Sequence, residues 1–578
     1  MRTKEVRKRV LTWFLLVVMS ISMLAGCGKN NDSEKKESVR RERKDSVTIS
    51  PTAEPTAEPT AIPTVEPTAT PIAEPTPKIK NTDYTEPGCE IAFAERELYH
   101  YDMDLKLNEE DNTIGGHVKF EFYNDSEDTW NELCLRDYPS LFTINEAVGV
   151  DEEGDLDAAL TEINNITDGR DNSKLTYERD EDISVVWLKL VNPLAPGEKM
   201  TLEYDFKATI PAIADRFGAG GRVFNVTNFY PILAEYVDGE WSHEAYFSTG
   251  ECFYSEVSNY DVRLTVPYNF KVATTGTQTG FKEEGDTVTY TYKAPCVRDF
   301  VFSASSIFKS ESKVCGDVTV NVFCNLPVYL EEEYETATRV AFEAAEDSLA
   351  AFGNAFGQYP YPELDIVITP ISAGGMEYPN LVIIGVDYLN EVTMFDENGN
   401  LVSEALIDDF KVCVAHEIGH QWFMGIVGSN SGMNPWLDES FASYSELVYA
   451  DYLSDVKNQK LYSMGINSKP VGDFSDPSIT SKLVEEGSLP IDLSYYDYKN
   501  DTAYVIAVYY NGTRVLRQME EILGHDEFQS IIREYVALHA FTNVNPYDFF
   551  EVLYRHAGND NEELNALIEN VFEDAATK

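Results

Sequence analysis

The hydrophobic pattern of this chain changes its period near residue 312. From about 85 to 310, apolar and polar residues alternate in segments such as HVKFEFYN and MTLEYDFKATIP, with turn residues between them. A period of two predicts half-buried strands. Beyond 312, apolar residues recur at helical spacing in EEEYETATRVAFEAAEDSLAAFG, while ELDIVITP and NLVIIGV are typical of buried strands. We therefore predict an all-β, sandwich-like domain over 85–312 and a domain of mixed strands and helices over 313–578.

The N-terminus has the pattern of an export signal. MRTKEVRKR is basic, VLTWFLLVVMSISM is apolar, and small residues follow in LAGCGK. Such a short apolar stretch before small residues is typical of a signal peptide rather than a membrane span. LAGC resembles the lipobox of bacterial lipoproteins. That resemblance implies that residues 1–26 are removed and that Cys27 carries the lipid. The alternative is a signal, cleaved or not, in which Cys27 is incidental.

Residues 27–84 are predicted to be a disordered linker. Within PTAEPTAEPTAIPTVEPTATPIAEPTP, prolines recur at every fourth position from 51 to 75. This repeat blocks helices and central strands and favours an extended chain. We expect a protein held at the outer face of the cell membrane by its lipid, with the folded domains at the far end of the linker.

Charge and cysteine usage exclude some partners and sites. The formal net charge of −54 argues against binding nucleic acid, whose phosphates need a basic surface, and against electrostatic docking on anionic lipid. Beyond Cys27 the cysteines are scattered and form no CxxC pair, so we expect no cysteine-ligated metal. Their spacing does not indicate how any of them would pair. These cysteines are Cys89, Cys134, Cys252, Cys296, Cys315, Cys324 and Cys413.

The segment AHEIGHQWF, residues 415–423, has the pattern of a zinc site on a helix. Positions i and i+4 share a helix face, so His416 and His420 can direct their imidazoles at one point. Catalytic zinc sites use three protein ligands and leave one position for water, toward which Glu417 would act as general base. Glu439, in the downstream segment NPWLDESFASY, can supply the third ligand. The alternative is a helix with two satisfied surface histidines. A three-histidine metzincin site is excluded, because residue 423 is phenylalanine and residue 426 is isoleucine.

Three motifs together resemble the aminopeptidase N family of zinc metallopeptidases, which includes leukotriene hydrolase. They are HExxH at 416–420 with its downstream glutamate at 439, GGMEYPN at 374–380, which is similar to GxMEN, and YYNG at 509–512, which is similar to Tyr-x-Lys-Gly. The resemblance covers about residues 88–560. It implies that 313–578 is a thermolysin-like α+β zinc metallopeptidase domain, that the cofactor is one zinc ion, and that the substrates are peptides.

The resemblance also implies roles for single residues. Glu377 would bind the free α-ammonium of the substrate and so restrict cleavage to the first residue. Gly374 and Gly375 would let the substrate approach the backbone closely, and Met376 would line the pocket for the first side chain. Tyr509 would donate a hydrogen bond to the oxyanion of the tetrahedral intermediate.

Other assignments stay open in the sequence. Tyr504 is a second candidate for the role of Tyr509. The β-domain of the family usually supplies a glutamine or glutamate that assists binding of the α-amine, and Glu244 and Glu251 are both candidates.

The chain departs from the family pattern at several positions. Tyr378 replaces the asparagine of GxMEN, Asp438 stands where asparagine is usual beside the zinc glutamate, and Asn511 replaces the lysine after the tyrosine. Because the sequence ends at Lys578, soon after Gly512, we expect a short form without the C-terminal helical domain of full-length relatives. The site would then be more open, unless a second subunit covers it.

These features favour a zinc aminopeptidase that trims peptides outside the cell. One alternative is a zinc endopeptidase of the same clan, which would gain nothing from Glu377. Another is a non-catalytic lipoprotein that binds peptides, and loss of Glu417 or of a zinc ligand would be its signature. Glu417 and all three predicted zinc ligands are present. The preferred first residue and the oligomeric state cannot be inferred from the sequence.

Overall fold

The computed structural model describes residues 97–144, 159–325, 331–385, 404–461 and 490–573. The predicted signal peptide, Cys27, Cys89 and the predicted linker lie outside these residues. Within the described ranges, no helix is both long and apolar enough to span a membrane. Cys134, Cys252, Cys315 and Cys324 are free thiols.

Strands dominate the N-terminal part of the described chain. They are β1 (Tyr99–Asn108), β2 (Thr113–Tyr123), β3 (Trp130–Arg136), β4 (Glu162–Asp168), β5 (Ser173–Lys174), β6 (Thr176–Arg179), β7 (Val185–Leu194), β8 (Lys199–Thr209), β9 (Phe224–Val226), β10 (Ile232–Leu233), β11 (Tyr236–Val237), β12 (Glu240–Trp241), β13 (Ser258–Pro267), β14 (Lys271–Thr274), β15 (Thr277–Glu284), β16 (Thr287–Val297) and β17 (Phe302–Ser305). A short 3-10 helix covers Tyr138–Thr143.

The C-terminal part combines a small sheet with helices. Its strands are β18 (Lys309–Cys315), β19 (Val318–Cys324), β20 (Glu363–Thr369), β21 (Gly375–Tyr378), β22 (Leu381–Gly385), β23 (Val427–Ser429) and β24 (Thr542–Val544). Its α-helices are α1 (Glu331–Phe356), α2 (Glu404–Gly419), α3 (Glu439–Asp455), α4 (Asp501–Val505), α5 (Gly512–Leu523), α6 (His525–His539), α7 (Pro546–Ala557) and α8 (Glu562–Val571). Two 3-10 turns, Pro435–Leu437 and Tyr495–Asp497, and a π-helical segment, Ile506–Asn511, complete it.

The N-terminal strands form two main sheets. One has eight strands in the order β15-β16-β13-β1-β2-β8-β4-β5, and the other has four in the order β10-β3-β7-β6. Side chains alternate along β8, where every second residue from Met200 to Ala208 is buried. Apolar side chains from both sheets contribute to one core. The predicted division into a β-rich N-terminal region and a more helical C-terminal part is confirmed.

A five-stranded sheet positions the predicted motifs of the C-terminal part. Its order is β18-β19-β20-β22-β21, and the predicted boundary at 312 falls within β18. β20 and β22 run parallel and are buried almost throughout, as their apolar runs predict. β21 pairs antiparallel with β22 at the edge of this sheet. Helix α2 packs against β21 and β22 and also contacts α1 and α3. The HEIGH segment therefore lies beside the GMEY strand.

Candidate active site

The two histidines of HEIGH lie at the C-terminal end of α2, and each ring is oriented by a carboxylate. His416 donates from Nδ1 to Glu446 Oε1 at 2.9 Å, and His420 donates from Nδ1 to Asp438 Oδ1 at 2.7 Å. With each Nδ1 directed at a carboxylate, the Nε2 atom of each ring is turned toward Glu439. A carboxylate or carbonyl partner of this kind is the usual support of a metal-ligating histidine.

Glu439, the first residue of α3, completes a three-atom set with the geometry of a metal site. The Nε2 atoms of His416 and His420 are 3.2 Å apart, and each lies 3.4 Å from Glu439 Oε2. Tetrahedral zinc with ligand bonds of about 2.0–2.1 Å separates its ligand atoms by about 3.3 Å. The three protein donors therefore fit one zinc ion and leave a fourth position open.

The charge around these donors also favours a cation. Burial opposes a charge on His416, but hydrogen bonds to Glu439 and Glu446 prevail and raise its pKa to about 10. Burial opposes a charge on His420 as well, yet Glu377, Asp438 and Glu439 raise its pKa. Buried carboxylates thus stabilise positive charge at the point where the three donors meet.

Glu417 points from α2 toward the start of β21. Its Oε2 is buried and has no hydrogen-bond partner among the described residues. Burial raises the pKa of Glu417 to about 7, although His416 and His420 lower it. A carboxylate with a pKa near 7 suits a group that takes up and releases a proton at neutral pH.

The side chains of β21 alternate between two surroundings. Glu377 faces the metal-ligand set, and one donor atom each of Glu377, Glu417 and His420 lie within 4.8 Å of one another. Met376 and Tyr378 face the opposite way and join a small apolar cluster with residues of the β-rich region. Glu377 Oε1 is buried and unpartnered among the described residues. Gly374, whose carbonyl accepts a hydrogen bond from Gly385 N, lies just before the strand.

Gln421, next to the second histidine, joins the two motifs. Its side chain accepts a hydrogen bond from Asn380 N at 2.8 Å and donates to the Tyr378 carbonyl at 3.1 Å. The turn after β21 is thereby fixed to the end of α2. Nothing in the local sequence marks Gln421 for this contact, because both partners belong to the distant GGMEYPN segment.

The structure places both candidate tyrosines at the site. Tyr509 stacks on His416, with ring centroids 6.2 Å apart, and it interacts electrostatically with Glu439. Tyr504 contacts Tyr509 edge to face at 5.9 Å. Tyr509 lies in the π-helical segment Ile506–Asn511, and such segments occur frequently at functional sites. Of the two, Tyr509 is nearer to the metal-ligand set.

The two β-domain candidates take different positions. Glu244 accepts hydrogen bonds from Ser242 Oγ at 2.6 Å and from Asn430 Nδ2 at 3.3 Å. Glu251 is buried, and it interacts electrostatically with Glu377 and with Glu439. It also forms an ion pair with Arg216 at 2.9 Å. Glu251 is therefore the β-domain carboxylate at the site, and Arg216 is a site residue that the sequence did not reveal.

Comparisons with known proteins agree with this geometry. Residues 340–571 match the sequence model of the Peptidase family M1 domain. Aminopeptidase M1-B of rice, Oryza sativa subsp. japonica, is 27% identical over 287 residues, which are 47% of this chain and 31% of that protein. Aminopeptidase N of Lactococcus lactis subsp. lactis is 25% identical over 264 residues, which are 45% of this chain and 29% of that protein. The chain thus spans less than a third of the length of these relatives.

The fold also matches a solved structure. The M1 zinc metallopeptidase from Deinococcus radiodurans superposes with a TM-score of 0.54 at 15% identity, covering 83% of this chain and 96% of that one. The similarity therefore extends beyond the matched domain into the β-rich region. Residues 340–571, which match the Peptidase family M1 domain, also hold His416, His420 and Glu439, the three donors that could bind a zinc ion, and Glu417 beside them.

Proposed function

We propose that this protein is a zinc-dependent aminopeptidase that removes the first residue from peptides with a free amino terminus. The observation that carries the proposal is the position of Glu377. Its Oε1 is buried without a partner among the described residues, and a Glu377 oxygen lies within 4.8 Å of donor atoms of Glu417 and His420. A buried carboxylate oxygen without a partner is costly. The α-ammonium of a substrate would supply that partner and set the first peptide bond beside Glu417.

The residues around Glu377 divide the chemistry between them. Zinc held by His416, His420 and Glu439 would polarise the scissile carbonyl and lower the pKa of a water molecule. Glu417 accepts the proton of the attacking water and delivers it to the leaving amine. The hydroxyl of Tyr509 donates a hydrogen bond to the developing oxyanion, where a fixed donor stabilises the transition state most.

The edge position of β21 suits an extended substrate. An extended peptide can add to an exposed sheet edge through main-chain hydrogen bonds. Gly375 begins this strand without a side chain, so a substrate backbone can approach closely there. We assign residues 313–578 to a thermolysin-like catalytic domain on this basis and from the resemblance of its motifs.

Location at the outer face of the cell membrane is a further part of the proposal. It rests on the LAGC segment and on the proline repeat that follows it. Two or more acyl chains on Cys27 would anchor the chain stably. Cys27→Ser should move the protein from the membrane fraction to the soluble fraction of the host cell. Retention of the Cys27→Ser protein in the membrane would contradict the anchor.

The test of the activity uses paired peptides, one with a free amino terminus and one acetylated, with Glu417→Gln as the inactive control. The proposal expects cleavage of the free peptide alone, after its first residue, and loss of that cleavage in the control. Internal cleavage of both peptides would instead indicate an endopeptidase. Zinc binding without cleavage of either peptide would favour a peptide-binding protein.

A further inference from the structure

Arg216 is a buried cation at the boundary between the β-rich region and β21. Its side chain is 11% exposed. It donates from Nη1 to Glu251 Oε1 at 2.9 Å and from Nη2 to the Ser248 carbonyl at 3.2 Å. Nη1 also lies 3.7 Å from the sulfur of Met376, the residue before Glu377. One guanidinium therefore contacts both the segment that carries Glu251 and the strand that carries Glu377.

Two aromatic rings hold the guanidinium in this position. The Cζ atom of Arg216 lies 5.8 Å from the ring centroid of Tyr246 and 5.4 Å from that of Phe253. Both distances are within the range of a cation–π interaction. Tyr246 and Phe253 flank Glu251 in the sequence, so the same segment supplies the anion and both rings.

The backbone at Arg216 is joined to β21 as well. The Arg216 carbonyl accepts a hydrogen bond from Thr227 Oγ1 at 2.9 Å, and Thr227 Oγ1 accepts one from the Tyr378 hydroxyl at 2.8 Å. Ser372 Oγ donates to Asp215 Oδ1 at 3.0 Å. Through these contacts, the loop around Arg216 is fixed to the chain on both sides of Glu377.

The surroundings of Glu251 are otherwise unfavourable for an anion. Burial raises the pKa of Glu251 to about 8, and Glu439 and Asp438 raise it as well. Arg216 and His420 lower the pKa of Glu251, and Arg216 has the larger effect. Without the Arg216 guanidinium, the Glu251 carboxylate would lose its ion pair while its anionic neighbours remain.

We propose that Arg216 is a positioning residue that holds the Glu251 side chain beside Glu377, so that both carboxyl groups bind the α-ammonium of the substrate. The inference rests on the proposed function, because it assigns the ammonium to this pair. Arg216 itself does not touch the ammonium. It acts through Glu251, and its removal should weaken recognition of the free amino terminus specifically.

The experiment measures binding rather than turnover. In the zinc-loaded Glu417→Gln protein, calorimetry gives the Kd of trialanine and of N-acetyl-trialanine. Adding Arg216→Met should weaken binding of trialanine about tenfold or more, since a hydrogen bond between charged groups is typically worth at least that factor. The Kd of the acetylated peptide should stay unchanged, and Arg216→Lys should recover part of the loss.

A double-mutant comparison separates positioning from an independent role. Glu251→Gln should weaken trialanine binding to a similar extent. The double variant Arg216→Met with Glu251→Gln should bind trialanine no more weakly than the single variant that binds it less tightly.

Arg179, which is 14% exposed and pairs with Asp137 at 2.7 Å in the β-rich region, provides the matched control. Arg179→Met should lower the melting temperature without changing the ratio of the two Kd values.

Three results would overturn the proposal. If Arg216→Met binds trialanine as tightly as its parent, Arg216 does not position the site. If the losses of the two single variants multiply, Arg216 and Glu251 act separately. If the parent does not prefer the free peptide over the acetylated one, the ammonium site itself is wrong and the proposed function fails with it. Arg216→Lys keeps the charge, so it remains informative even if Arg216→Met loses stability.

Discussion

Gly375 and Glu417 lie so close that any side chain at position 375 would displace the carboxylate of Glu417. A Cβ atom built on Gly375 would lie 2.0 Å from Glu417 Oε1 and 2.4 Å from its carboxyl carbon. Real Cβ atoms do not approach other atoms this closely, so the Glu417 side chain would have to move with alanine at this position. The glycine of the GGMEY segment therefore leaves the space that the Glu417 carboxylate occupies.

Gly375→Ala should lower kcat by about 100-fold, because a small displacement of a catalytic group is known to cost about that much. Zinc content should remain that of the parent protein, since the predicted clash is with Glu417 and not with a metal ligand. Steady-state kinetics and metal analysis of the purified variant measure the two quantities. Gly280→Ala is the control, because a Cβ at 280 meets nothing within 4 Å. Full activity in Gly375→Ala would show that catalysis does not depend on this position of the Glu417 carboxylate.

Removal of an orienting carboxylate should weaken zinc binding. Glu446 accepts the Nδ1 proton of His416, and Glu446→Gln leaves Nδ1 without its charged partner. The dissociation constant for zinc should rise about 10- to 100-fold, as is usual when such an outer partner is lost. Competition with a chromogenic chelator measures this constant.

Asp438→Asn is the variant to compare with Glu446→Gln, because the family that the motifs resemble usually has asparagine at this position. An amide oxygen can still accept from His420 Nδ1, so the loss of zinc affinity should be smaller than in Glu446→Gln. An equal or larger loss would mean that the charge of Asp438, which also accepts from Ser431 Oγ at 2.8 Å, is needed at the site.

Tyr509→Phe should reduce kcat by about 100- to 1,000-fold, the usual effect of removing one oxyanion donor. KM should change little, since the ring that stacks on His416 is retained. Tyr504→Phe serves as the comparison, because that ring packs edge to face on Tyr509, whereas Tyr509 stacks on His416. A larger loss of kcat in Tyr504→Phe would reverse the assignment.

The sequence predicted those parts of the site that depend on local spacing. His416, Glu417 and His420 follow from one turn of helix, and Glu439 from its position at the start of the next helix. Glu251, Arg216 and Glu446 contact the site from distant positions in the sequence, and Gln421, which follows His420, contacts the distant GGMEYPN segment. No local pattern distinguishes a glutamate on a helix or a lone arginine in a loop until the fold brings it to its partner. The change of hydrophobic period likewise predicted the two regions, but it cannot indicate which strand lies at a sheet edge.

Tyr378 shows how a departure from the family pattern is accommodated. In the sequence it stands in place of the asparagine of GxMEN. In the structure its side chain is buried on the face of β21 opposite to Glu377, and its hydroxyl contacts Thr227 Oγ1 at 2.8 Å and Asn228 Oδ1 at 3.2 Å. Asn228 in turn donates to Asp299 at 2.9 Å. The tyrosine therefore fixes β21 to the β-rich region, a contact that the sequence could not predict.

Tyr378→Phe should raise KM for free-amino peptides and leave kcat within a few-fold of the parent. The ring keeps its packing, but β21 loses its hydrogen bonds to the β-rich region, so Glu377 is held less firmly. The free energy of unfolding should fall by about 1 kcal/mol for each neutral hydrogen bond lost. Kinetics on paired free and acetylated peptides, with denaturant titration, measure both effects. Unchanged KM together with reduced stability would restrict Tyr378 to a structural role.

Asp365 gives the stability of the fold a specific dependence on pH. This side chain on β20 is 7% exposed, and it accepts hydrogen bonds from Thr274 N at 2.9 Å and Asn321 Nδ2 at 2.8 Å. Burial raises its pKa to about 7 despite these donors. Because the folded chain holds this proton more tightly than the unfolded chain, the contribution to stability is present at low pH. It is lost as pH rises from the ordinary range of an aspartate through 7.

Asp365→Asn removes that titration while keeping an acceptor for Thr274 N. Between pH 5 and pH 7 the parent protein should lose up to about 2 kcal/mol of unfolding free energy relative to the variant. Denaturant titrations of both proteins at the two pH values give this difference directly. Parallel pH dependence in the two proteins would mean that Asp365 is already ionised at pH 5 in the folded state. Its two hydrogen bonds would then outweigh its burial.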